Sequence, residues 1–260
     1  MYFSTNDRTD DRPEPESLDR APLQQRQPLL GGGGLAALLV SLQLADSAFP
    51  SGFYTLSHSL EGYAQARAVD PDTLPALLAD LLRHGVGPGD ATALALAHRA
   101  CTAGELADAV RVDRKLYAGK LNREMRQAAT RTGRQLLDLS AEVFEQPVIG
   151  AYLALVKDRR APGCQAVAAG IVQAAAGVPV AQAVASDLFA FSASFAGAAL
   201  RLRLTDHRRA QVLLRGAAPV IEETVRAALA RELADLGSTA FASDIMSGRH
   251  ERAEARLFAS

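Results

Sequence analysis

The sequence predicts an all-α protein, a single-domain bundle of about nine to ten helices that pairs as a homodimer. Three observations carry the fold class. The chain is 48% hydrophobic, rich in Ala and Leu, and lacks Trp, a composition that favours packed helices over sheet. Apolar residues recur at helical spacing in one segment after another. No stretch shows the alternation of a half-buried strand, and no internal repeat is present. At 260 residues the chain is long enough to bury a sizeable core.

Residues 1 to about 28 mix Asp, Glu, Arg, Pro and Gln with little to bury, so a disordered extension is expected there. The glycines at 31–34 form a hinge, which sets 1–34 apart from a helical domain over 35–236. A phosphate-cradling loop is excluded: no strand precedes these glycines and no Gly-Lys-Ser/Thr follows. The first helix runs into Asp46 and Ser47, and the chain turns at Pro50, Ser51 and Gly52. Proline and glycine specify that turn by their chemistry. Phe49, Phe53 and Tyr54 crowd it, either as a docking surface or as a core corner.

Asp70-Pro71 reads as an N-cap followed by a first-turn proline, with Leu74, Leu77, Leu78, Leu81 and Leu82 on one face. Residues 85–89 close that helix, and another begins near Asp90. A helix over 105–118 ends at Gly119. The next, over about 121–140, carries Leu121, Met125, Ala128, Thr132, Leu136 and Leu139 along one stripe. Arg123, Arg126, Arg131 and Arg134 lie off it, as a solvated face or an interface for an acidic partner. Pro147 opens a short helix ending near Lys157.

Residues 163–186 carry no charge and are long enough to span a bilayer. Three glutamines and the break at Gly177-Val178-Pro179 make them two buried helices instead. The helix that follows places Phe191 and Phe195 among small neighbours such as Gly197. These three are the candidate dimer interface, with burial inside one subunit as the equal alternative. A last long helix spans about 206–236, with Pro219 as a potential kink. The tail, 237–260, is too sparse in apolar residues for a core and too specific for a linker. It reads as a segment that orders on a partner.

The net charge of −1 offers no global basic field for nucleic acid or anionic lipid. Cys101 and Cys164 fit no metal or redox spacing and read as buried hydrophobes in a reducing, cytoplasmic setting. None of His58, His84, His98, His207 and His250 pairs with another His at metal-site spacing, so no metal site is assigned. There is no nucleophile elbow and no dinucleotide fingerprint. The pattern fits an interaction protein with no catalytic residues. The alternatives are a generic helical adaptor, or a small helical hydrolase using His58 or His250.

Residues 42–61, Leu-Gln-Leu-Ala-Asp-Ser-Ala-Phe-Pro-Ser-Gly-Phe-Tyr-Thr-Leu-Ser-His-Ser-Leu-Glu, resemble the N-terminal signature of the urease accessory protein UreF family. The likeness continues through Arg126-Gln127 and Gly133-Arg134-Gln135-Leu136-Leu137. It ends in Asp-Leu-Gly-Ser at 235–238, Ser-Gly-Arg-His-Glu-Arg at 247–252 and Arg-Leu-Phe-Ala-Ser at 256–260. It covers about 35–260. One departure is Ala168-Ala169-Gly170, where the family commonly has Ala-Phe-Gly.

The resemblance implies an all-α, dimeric, non-catalytic scaffold in urease maturation. Such a scaffold binds UreD (also called UreH) and the GTPase UreG and presents them to apo-urease for nickel insertion. It also influences when UreG hydrolyses GTP. No cofactor is held stably; nickel is handled by the wider complex. The candidate partner-binding residues come from the two unusual regions: Asp46, Phe49, Pro50, Tyr54 and Glu61 at the corner, and Asp244, His250, Glu251, Arg256, Leu257 and Phe258 in the tail. The tail is expected to fold back on the corner, with Arg256 reaching the Tyr54 hydroxyl.

Overall fold

In the computed structural model, residues 32–50, 55–253, 257 and 258 are described. The disordered extension expected over 1–28, together with Tyr54 and Arg256, lies outside them. The described chain is all-helical. It runs through α1 (Gly32–Ala45), α2 (Leu60–Gln65), α3 (Leu74–Asp80), a π-helical segment (Leu81–Ala91), α4 (Thr92–Thr102), α5 (Leu106–Gly119) and α6 (Arg123–Phe144). Then follow α7 (Pro147–Lys157), α8 (Gln165–Ala175), α9 (Val180–Arg201), α10 (His207–Ala230), a 3-10 turn (Leu233–Asp235) and α11 (Phe241–His250).

Helix α8 lies at the centre, packed chiefly on α4 and α6 and also on α9. Its residues from Ala166 to Gln173 are all buried, which is why the sequence around it carries no charge. The predicted break holds: Gly177 adopts φ +76° and α9 starts at Val180, after Pro179. Helix α9 is long and apolar enough to cross a membrane, yet 56% of its most apolar window is buried inside the protein. It is a core helix.

Asp113 on α5 is fully buried. It accepts hydrogen bonds from the Tyr152 hydroxyl at 2.7 Å, the Gly163 amide at 2.6 Å and the Cys164 amide at 2.9 Å. One carboxylate thereby ties α5 to α7 and to the entry of α8. Burial, with Asp113 adjoining, pushes both the Tyr152 hydroxyl and the Cys164 thiol well above their usual ranges, so Cys164 is inert.

Four expectations need correction. Residues 85–89 do not end a helix, and none begins at Asp90: the chain stays helical from α3 through the π segment into α4. Pro88 lies inside this run. Proline has no N–H, so the His84 carbonyl loses the partner four residues on that an α-helix would supply. The Thr239 amide donates to it instead, at 2.8 Å, and the Gly237 amide donates to the Pro88 carbonyl at 3.1 Å. Tertiary contact replaces what the local sequence removes.

The helix after Asp70 begins at Leu74; the Asp70 carboxylate caps the preceding turn, accepting from the Asp72 and Thr73 amides at 3.0 and 2.8 Å. Leu121 is exposed, because Asn122 caps α6. The last long helix stops at Ala230, where Arg99 donates to the Leu229 carbonyl at 2.6 Å and satisfies an end-of-helix acceptor.

Candidate functional site

His58 and Ser59 carry φ values of +53° and +68°, and these two left-handed residues turn the corner into α2. Glu61 sits in the first turn of α2 and is 3% exposed. Gly62 follows, and a Cβ there would lie 2.5 Å from the Met246 carbonyl oxygen. Only glycine lets the backbone of α11 approach that closely.

The Glu61 carboxylate gathers the C-terminal segment. Its Oε2 lies 2.8 Å from His250 Nε2 and accepts the Phe258 amide at 3.0 Å; its Oε1 accepts the Leu257 amide at 2.8 Å. His250 is fully buried, and its Nδ1 faces Glu124 at 3.8 Å. Around this clamp, the Tyr63 and Ser243 hydroxyls are 3.0 Å apart, Arg123 pairs with Glu251 at 3.2 Å, and the Arg201 guanidinium lies 4.1 Å from the Phe258 ring centre. The last contact is a cation–π geometry.

Five of the residues expected to bind partners, Glu61, His250, Glu251, Leu257 and Phe258, are thus brought together. Asp244 lies on the same helix as His250, and the described corner residues lie apart. Asp46 closes its own turn, accepting the Ala48 amide at 2.7 Å. Phe49 is a core residue, lining a cavity with Leu136 and Leu200, so at this position the aromatic corner is core. The Pro50 carbonyl accepts the Gln135 side-chain amide. Phe195 is fully buried and Phe191 nearly so; only Gly197 of the candidate dimer residues keeps partial exposure. Packing within the subunit accounts for both rings.

Beneath the docked segment lies a cavity of about 170 Å³, walled by Leu56 and His58 from the corner, Asp90, Lys120, Asp187, and Ala240 and Asp244 from the tail. Lys120 Nζ pairs with Asp90 at 2.9 Å. Burial alone would lower the Lys120 ammonium, but Asp90, Cys164 and Asp244 together outweigh it and the group is raised. Burial pushes the Asp187 carboxyl up to about 6, although Gln165 donates to it at 2.9 Å. Asp244 is raised by the same desolvation. These charges converge between the corner and the tail. Among the described residues no group of three His, Cys, Asp or Glu side chains is placed to hold a metal ion.

His58 Nε2 lies 3.0 Å from Ser194 Oγ, with its ring 4.4 Å from that of Phe191. The pairing invites a nucleophile–base reading. Burial, helped by Arg201, pulls His58 down to about 3, and so weak a base cannot take a serine proton near neutral pH. The contact ties the corner to α9.

The sequence model of the UreF family matches residues 68–218. The chain belongs to the UreF family. It is 31% identical to urease accessory protein UreF 2 of Brucella canis over 229 residues, 86% of this chain and 92% of the relative. It is 32% identical to urease accessory protein UreF of Arthrobacter sp. strain FB24 over 219 residues, covering 84% and 95%. The Bacillus sp. strain TB-90 protein of the same name is 30% identical over 227 residues, covering 86% and 99%. UreF is a family of accessory proteins and not of enzymes, which leaves the Glu61 clamp a structural element. Sequence reasoning missed Glu124, Arg201 and Gly62 in this UreF clamp. A Gly directly after the signature Leu-Glu was the one local sign that another backbone comes close.

Proposed function

We propose that this chain scaffolds urease maturation: it binds UreD (UreH) and UreG, presents them to apo-urease, and influences when UreG hydrolyses GTP. One observation carries the reading. The C-terminal segment is anchored by polar contacts to Glu61 and by the buried Phe258, while three of its large apolar side chains point outward: Leu257 is 73% exposed, Phe241 62% and Ile245 55%. Apolar side chains held in water on a pinned backbone are pre-organised for a partner surface, and UreD is the partner proposed for it. Nickel is cargo of the assembled complex, and the chain keeps no cofactor of its own. The two free thiols, Cys101 and Cys164, suit the reducing cytoplasm.

We also propose a homodimer, on a different surface from the α9 rings. Leu35, Leu38, Leu39 and Leu42 of α1 are all exposed, and their spacing makes one apolar stripe. Leu39→Glu with Leu42→Glu should turn a dimer into a monomer in sedimentation; an unchanged mass would remove this surface from consideration.

The decisive experiment reconstitutes apo-urease activation with nickel, GTP, UreD and UreG, with and without this protein. Activation should require it, and Leu257→Asp should lose UreD in a pull-down. Equal activation without the protein would end the scaffold reading. Turnover of a small ester or amide by the protein alone, lost in His58→Ala, would favour the hydrolase.

A further inference from the structure

A second surface carries chemistry that the clamp does not use. Between α5, α6 and the turn joining α7 to α8 runs an open groove lined by Arg114, Arg131, Arg134, Lys157, Arg159 and Arg160, against one carboxylate, Asp138, among the described residues. Asp138 is already paired with Lys157 at 3.3 Å. In a chain of net charge −1, six cations in one concavity concentrate positive potential where an anionic chain would enter. Gln127, Thr130 and Gln135 lie among them and add neutral hydrogen-bonding groups suited to a polypeptide.

The matching charge is in the same sequence. Residues 10–19 read Asp-Asp-Arg-Pro-Glu-Pro-Glu-Ser-Leu-Asp, five carboxylates and one arginine. The described chain begins at Gly32, so residues 20–31 separate this stretch from α1 and can span up to about 40 Å. Helix α1, 14 residues long, covers about 21 Å and leads to Pro50, whose carbonyl is held by Gln135 on the groove wall. The segment can therefore reach back to the groove.

We propose that the acidic stretch 10–19 docks in this basic groove of its own chain, as a tethered occupant that any other acidic partner must displace. A short tether places it at an effective concentration in the millimolar range, enough to hold a contact that would be weak between separate molecules. The attraction is screened by salt.

The test uses the full chain. A fluorescent peptide of residues 8–21 is titrated with wild-type protein and with a full-length variant in which Asp10, Asp11, Glu14, Glu16 and Asp19 are changed to Asn or Gln. The neutralised chain should bind the peptide at least about tenfold more tightly, because the wild-type groove is already filled. Adding Arg134→Glu and Arg160→Glu to the neutralised chain should abolish binding while helicity stays constant. Equal binding by both chains, or binding that survives the two charge reversals, overturns the proposal. A gap that disappears on dilution assigns the groove to a second copy's segment and overturns it as well. Tighter binding of a DNA duplex to the wild-type chain than of the peptide to the neutralised chain would make nucleic acid the occupant.

Discussion

His250 Nε2 stands 2.8 Å from Glu61 Oε2, with both side chains shut away from water. The last helix is therefore fixed by a buried polar contact, joined by two backbone amides on the same carboxylate. Such a contact is directional: it places the exposed Leu257 in one position where a purely apolar contact would let it slide.

Replacing Glu61 tests that clamp. Glu61→Ala strands a buried imidazole and two amides, a loss of roughly 3–5 kcal/mol for breaking a buried charged contact. A short terminal helix cannot absorb that, so residues 241–258 should exchange amide hydrogens far faster while α8 stays protected. Glu61→Gln keeps an acceptor and should fall between. Unaltered protection of the segment in Glu61→Ala would refute the clamp.

Asp187 makes stability depend on pH in a direction opposite to most carboxylates. Its folded value, about 6, is above its ordinary one, so the native state keeps a proton that the unfolded chain releases. Its contribution is most favourable below about pH 4 and is lost as pH rises through about 6. Asp187→Asn keeps the bond from Gln165 and removes the penalty. It should be more stable than wild type by about 3 kcal/mol at pH 8, with the difference falling toward zero below about pH 4 in urea melts. A gap independent of pH would contradict the assignment.

His58 works the other way. Held down to about 3, it binds fewer protons folded than unfolded. Its contribution is complete above about pH 6.5 and is lost as pH falls toward 3. His58→Gln preserves a hydrogen bond to Ser194 and should flatten the acid limb, sparing on the order of 3 kcal/mol at pH 4 relative to wild type. Parallel acid limbs for the two proteins in thermal melts would show that His58 titrates normally.

Gly133 is where α6 meets the start of α8. A Cβ there would meet the Gly163 carbonyl oxygen at 2.1 Å and the Gln165 amide at 2.6 Å. Both are backbone atoms that cannot rotate aside. Gly133→Ala should cost about 3 kcal/mol or more by overpacking, lowering the melting temperature, whereas Gly150→Ala, with open space around it, should not. Similar melting temperatures for both variants would remove the close approach.

Much of the helix plan was legible in the chain because its signals are local. Asp206 caps α10, accepting from the Arg208 and Arg209 amides, Pro147 opens α7, and Gly177 with Pro179 separates α8 from α9. The site was legible only in part. Glu61, His250 and Phe258 stood out through the family resemblance, but the apolar pattern of the tail looked too thin to dock. Beside Phe258 it docks by burying Ser243, Ser247 and His250, and polar burial leaves no mark in a hydrophobic pattern.

What the amino-acid order determined alone is the all-helical class and most helix ends, since capping, proline geometry and periodicity act within a few residues, and, through its signature residues, the resemblance to the family. The tertiary structure alone decided that the chain stays helical through Pro88, and that Glu61 meets a histidine 189 residues away. A freed carbonyl and a buried carboxylate are each unfavourable until a distant donor arrives, and no local pattern states which donor that will be.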